Sequence, residues 1–180
     1  ILFISGNAIG ANNNQTKSND INFSSDELKV DENTKVMIAS GNVVITSKDR
    51  QITADKVEYD QNIDKAIATG NVILKEKDGS IYTSQSVVLT NEFKSVVAIP
   101  LYGELIDKSY IKATNLKKID TGESYFKEGV YTACECDFKT NLKPIWRIET
   151  EQVKHDPATQ TIYLKHPVMK IFSIPVYYLP

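Results

Sequence analysis

The chain has 180 residues, 41% of them hydrophobic and 24% charged, enough for one core or a short repeat array but not for two unrelated domains. Lys+Arg 21 against Asp+Glu 23 leave a formal charge of −2, without the basic excess that phosphate-backbone binding demands, so no nucleic acid partner is expected. No run approaches the ~18 apolar residues of a membrane-spanning helix.

Residues 1–22 read as a signal-peptide remnant and a flexible tether. ILFISGNAIGA passes from apolar to small residues (Gly6, Ala8, Gly10, Ala11), like the end of a secretory signal without its charged start; a frayed terminus is the alternative. NNNQTKSND is polar and low in complexity, as tethers are. The folded domain is expected over residues 23–180.

Within it, ASGNVVIT at 39–46 returns as ATGNVILK at 68–75. The same phase continues at Pro100, Gly129 and Pro167. A second phrase keeps time with it: ELKVD around Leu28, KVEYD around Val57, SVVLT around Val87, NLKKID around Leu116 and QVKHD around Val153. Both phrases slip together in the last step, which places one insertion between Cys134 and Pro144. Such a period, near 30 residues, is the mark of a repeat architecture in which each unit buries its apolar side against the next.

The units read as strands. Leu28 and Val30 alternate with Lys29 and Asp31, and Val57 and Tyr59 with Glu58 and Asp60. The second strand of a unit puts Ala39, Gly41, Val43 and Ile45 on one face, matched by Ala68, Gly70, Val72 and Leu74. DENTK, DQNID and EKDGS supply reversals. Gly41 and Gly70 fit a bend or bulge; Pro100 and Pro167 fit a bulge or an unpaired edge.

Phosphate-binding glycine loops, HExxH and GxSxG are absent, and no acid–base pair stands out, so no catalytic residue, metal site or cofactor is assigned. His155 and His166 read as surface or packing residues. Cys134 and Cys136 are two apart, so a bond between them is strained; pairing with cysteines outside this segment or two unpaired thiols are the alternatives.

TADKVEYDQNIDKAIATGNVILKEKDG, EGVYTACECD and PIWRIETEQVKHDPATQTIYLKHPVMKIFSIPVYYLP, in this order, resemble the N-terminal periplasmic OstA-like domain of the LptD family of lipopolysaccharide-assembly proteins. The ADKVEYD…ATGNV unit is shared with the LptA and LptC families. The resemblance implies an all-β, twisted, V-shaped β-jelly roll of stacked antiparallel strands, with a groove that carries lipopolysaccharide from a periplasmic bridge to an outer-membrane barrel. It implies an LptA-like bridge partner joined by edge-strand stacking, a barrel with its lipoprotein plug, a place on the periplasmic side of the outer membrane, and disulfides to the barrel, for which Cys134 and Cys136 are the candidates.

A groove fits the physics of such a cargo. Exposing apolar chain to water costs roughly 0.8 kcal/mol per CH₂, so an acyl tail of about a dozen methylenes needs continuous cover, worth on the order of 10 kcal/mol. Leu28, Val30, Val43, Ile45, Val57, Tyr59, Val72, Leu74, Val87, Leu89, Tyr102 and Met169 are the candidates for an interior that is part core and part lipid slide. Lys48, Arg50, Lys75 and Lys77 are rim candidates for lipid phosphates, against a plain solvated surface. The rival readings are a soluble LptA- or LptC-like carrier and a structural β-solenoid with a dry core.

Overall fold

In the computed structural model, the described residues are 22–47, 50–91, 94–134, 144–156, 158–159 and 161–178. They form fourteen strands, β1 (Asn22–Ser24), β2 (Glu27–Asp31), β3 (Val36–Thr46), β4 (Arg50–Asp60), β5 (Lys65–Glu76), β6 (Ile81–Thr90), β7 (Ser95–Glu104), β8 (Tyr110–Ala113), β9 (Asn115–Lys118), β10 (Ser124–Thr132), β11 (Trp146–Asp156), β12 (Thr161–Lys165), β13 (Val168–Ile171) and β14 (Ile174–Tyr178). Every pairing is antiparallel; β2 to β7 pair each with the next, β8 and β9 both lie between β7 and β10, and β11 pairs with β10, β12 and β13, in one sheet folded over on itself as a β-jelly roll. The proposed signal remnant and the insertion at 135–143 lie outside the described residues.

The first two repeats each turn at an aspartate that holds the backbone of its own loop. The Asp31 carboxylate accepts from the Asn33 and Thr34 amides at 2.9 and 3.2 Å, and Asp60 accepts from the Asn62 amide at 2.9 Å. The Asn62 side chain donates to the Thr34 carbonyl at 2.8 Å, which ties one turn to the next. These Asx-type bonds are why DENTK and DQNID end strands.

The repeated GNV phrase makes the corner at which each long strand bends. Gly41 and Asn42 have φ of 76° and 46°, and Gly70 and Asn71 have φ of 75° and 44°. In each pair two residues stand opposite one on the neighbouring strand, a β-bulge. The Asn42 amide donates to Asp26 and the Asn71 amide to Asp55, both at 2.9 Å. A Cβ on either glycine would run into that same aspartate. Glycine is therefore required twice over, by a left-handed backbone and by a close approach. In the last copy the corner is remade with other residues: His166, φ 49°, sets its Nδ1 2.9 Å from Glu151 Oε2.

The corners divide the sheet into two walls whose inner faces meet in a single apolar core. On the first wall one register line runs Leu28, Ala39, Val57, Ala68, Val87, Ala98, Leu116, Phe126, Val153, Leu164, apolar at every strand. On the second wall the matching line runs Phe23, Ile45, Ile52, Leu74, Tyr82, Gly103, Ile111, Tyr131, Ile148, Met169, Tyr177. The glycine in that line is covered by a neighbour, because a Cβ at 103 would collide with the Tyr82 ring and with Ile111.

Candidate functional site: an apolar cleft between the walls

The two register lines give the interior its apolar lining, and packing decides where it is open. In the middle of the roll the walls are in contact. Val43 and Leu89 are completely buried, and Val57, Val72, Leu74, Val87, Val96 and Leu101 nearly so, with Tyr59, Tyr82 and Phe126 packed against the cluster. Of the sequence candidates, Val43, Ile45, Val57, Val72, Leu74, Val87 and Leu89 therefore belong to this core in the state described.

The opening is at the β1–β2 end. An apolar cleft of about 220 Å³ is lined by Phe23 and Ile45 from the second wall and by Leu28, Met37, Ala39, Val57, Tyr59 and Ala66 from the first. Among the described residues β1 and β2 each pair only with β3 and no further strand lies beyond them, which leaves the end of the core uncovered. Leu28 remains 53% exposed and Phe23 45%. Tyr59 is the one ionisable side chain in the lining; burial, then its bond to Asp64 at 3.0 Å, raises its pKa above the ordinary phenol value. The cleft therefore offers a ligand apolar surface and no charge.

Val30 lies on the same inner side, one register line further from the corner, paired with Met37 and 55% exposed. Met169 lies at the opposite end, half-buried on the second wall between Ile148 and Tyr177. Tyr131 and Trp146 on that stretch meet edge to face at 6.2 Å.

Tyr102 corrects the sequence reading. It sits on the outer face, paired with Thr83 and Lys112, with the Lys112 ammonium 5.3 Å from its ring centre. The Gly–Asn corners of β3 and β5 contain an extra residue, whereas β7 crosses its corner at Ile99–Pro100 in one-to-one register with β6. The inner positions of β7 are consequently Val96, Ala98, Leu101 and Gly103, and Leu101 takes the place that counting from Pro100 gives to Tyr102.

Charge enters the interior between β5 and β9. The Lys118 ammonium on β9 is 3.4 Å from Glu76 Oε1 on β5, two strands that do not pair, so the contact crosses from one wall to the other. Arg50 Nε approaches the other carboxylate oxygen of Glu76 at 4.0 Å, so this rim candidate is turned toward a protein carboxylate. Lys75 and Lys77 are exposed, and Lys48 lies outside the described residues. Cys134 is a half-buried free thiol whose amide donates to Thr132 Oγ1 at 3.1 Å; Cys136 lies outside the described residues.

Sequence reasoning missed Phe23, Met37, Ala39 and Ala66 as cleft residues. Their signal is the register: each is the cross-strand partner of a candidate, Phe23 of Ile45, Met37 and Ala66 of Tyr59, and Ala39 of Val57 and Leu28.

Residues 22–62 match the family model described as "LptA/(LptD N-terminal domain) LPS transport protein". That stretch contains β1 to β4 and seven of the eight cleft residues named above, the exception being Ala66 on β5. No curated protein matches the sequence. Among solved structures the chain is similar to LptH of Pseudomonas aeruginosa, the LptA homologous periplasmic component of its lipopolysaccharide transport device, with 13% identity and a TM-score of 0.34 over 85% of this chain and 95% of that one. Identity and superposition at that level have no bearing on function.

Proposed function

We propose that the chain is a periplasmic domain of lipopolysaccharide transport, and that its cleft takes lipid acyl chains at the β1–β2 end for passage along the two apolar register lines. The observation that carries this reading is the uncharged cleft continuous with those lines, and the family match over 22–62 supports it. Such a pathway needs no catalytic group, because lining the route with apolar surface offsets the cost of exposing each methylene, about 0.8 kcal/mol. Passage beyond the cleft requires the walls to part, since the middle of the core is filled.

The finer reading places the domain on the periplasmic side of the outer membrane, as the LptD-type unit that receives lipopolysaccharide from an LptA-like bridge and passes it to a barrel and its lipoprotein plug. Four strands with one edge unpaired among the described residues favour it: β1 and β2 at one end, β12 and β14 at the other. Free edges recruit strands of another chain through main-chain hydrogen bonds. Cys134 and Cys136 remain the proposed disulfide positions.

Photocrosslinking in cells tests the cargo. A photoreactive side chain at Leu28 or Met37 is expected to capture lipopolysaccharide, and one at Tyr102, on the outer face, is not. Equal capture from all three positions, or none from the first two, overturns the assignment.

A further inference from the structure

The outer face of the first wall carries a second concave surface near its other end. Its volume is about 520 Å³, within the range of small-ligand sites. Two register lines supply its polar and aromatic side chains, Lys117, Tyr125, Lys154 and Tyr163 in one, and Lys127, Gln152 and Lys165 with Asn115 in the other, and Phe126, Val153 and Leu164 line it between them. Among the described residues no carboxylate belongs to this lining.

The side chains are arranged, not merely present. The Lys154 ammonium lies 5.8 Å from the Tyr125 ring centre and 5.9 Å from that of Tyr163, and it is held by Glu123 at 2.7 Å. This fixes two aromatic rings on either side of a cation. Lys165 is paired with Glu151 at 2.8 Å. Lys117 and Lys127 are exposed and diagonal to each other, and they are left to meet a ligand's charge. Asn115 and Gln152 add amide donors and acceptors.

We propose that this outer face of β9 to β12 binds an anionic saccharide. Tyrosine rings present flat apolar surface to the C–H faces of a sugar ring, side-chain amides exchange hydrogen bonds with hydroxyls, and the two free ammonium groups recognise a carboxylate or phosphate substituent. A purely charged ligand leaves the rings unused, and a neutral sugar leaves the ammoniums unused. This surface shares no residue with the cleft at the β1–β2 end, so this assignment and the cleft reading stand or fall separately.

NMR titration of the ¹⁵N-labelled full chain tests it, with trigalacturonate and glucose 6-phosphate as probes. Both are expected to shift the amides of residues 115–117, 125–127, 152–154 and 163–165 saturably, and more tightly than maltotriose, inorganic phosphate or an oligoglutamate peptide does. Lys117→Gln with Lys127→Gln is expected to weaken trigalacturonate binding about tenfold, a loss near 1.4 kcal/mol, and Tyr163→Ser to weaken glucose 6-phosphate binding; all these side chains are exposed, so folding is preserved. The proposal is overturned by the absence of saturable shifts with both saccharides, by equal binding of phosphate or oligoglutamate, or by variants that bind as the parent does.

Discussion

Lys118 and Glu76, 42 residues apart in sequence, hold the two walls of the roll together through a 3.4 Å ion pair between strands that are not ladder partners. Both side chains are largely shielded, so the pair is less screened than a surface bridge, and a double-mutant cycle with Glu76→Gln and Lys118→Met is expected to give a coupling of about 1 kcal/mol. Replacing both residues by cysteine and bridging them with a short bis-maleimide, which spans the distance that the two long side chains cover, is expected to stop an acyl probe from passing along the interior while binding at the β1–β2 cleft persists. Passage through the locked roll at the parental rate rules out separation of the walls as part of transport.

Charge introduced into the interior has opposite consequences at two positions. Val72 is 1% exposed, so Val72→Asp buries an unpaired carboxylate and is expected to cost about 4 kcal/mol or more, leaving little folded protein. Leu28→Asp changes a half-exposed side chain at the cleft mouth; it is expected to leave the circular dichroism spectrum and melting temperature nearly unchanged and to abolish capture of lipopolysaccharide. Thermal melts of both variants, read beside crosslinking, check the difference.

The corners can be probed through their glycines. Gly70→Ala places a methyl group against Asp55 in a left-handed conformation and is expected to destabilise the chain by about 2–3 kcal/mol. At Gly79 the backbone is also left-handed but the space around it is open, so Gly79→Ala is expected to cost only about 1 kcal/mol. Urea unfolding separates the steric contribution from the conformational one.

Acid stability depends on the outer face of the second wall. Burial works to raise the Glu149 pKa, but hydrogen bonds from Lys170 at 2.6 Å and Arg147 at 2.7 Å outweigh it, and the net shift is downward. A carboxylate depressed in the folded state adds stability above its unfolded pKa, and that stability is lost as pH falls through the folded value. Melting temperatures measured from pH 7 down to pH 3 are expected to fall through the acidic range in the parent and to vary less with pH in Glu149→Gln.

Much of this architecture is legible in the residues. Alternation identifies the strands, and the recurrence of Gly–Asn after each Ala-rich half-strand marks the bends. What the phrase does not reveal is its partner: Asp26 and Asp55 reach corners 16 residues further on, through contacts that exist only after the strands pair. Tyr102 is misplaced by counting because a corner without a bulge residue shifts every later side chain to the other face. The cleft's confinement to one end is equally hidden, since periodicity assigns Leu28 and Leu89 the same inward direction while only the latter has neighbours above it on every side. Glu76 and Lys118 carry no sequence signal of their meeting, which depends on how one wall lies over the other.

The corner also bears on how such a chain can change length. Its bulge and its aspartate clamp are completed between adjacent strands, and the small residues Ala39, Ala68 and Ala98 recur on alternate strands between larger ones. A whole unit duplicated in tandem would thus meet, above and below, surfaces already shaped for it. Growth by entire units preserves every junction, whereas gain or loss of a single residue inverts the inside and the outside of all that follows.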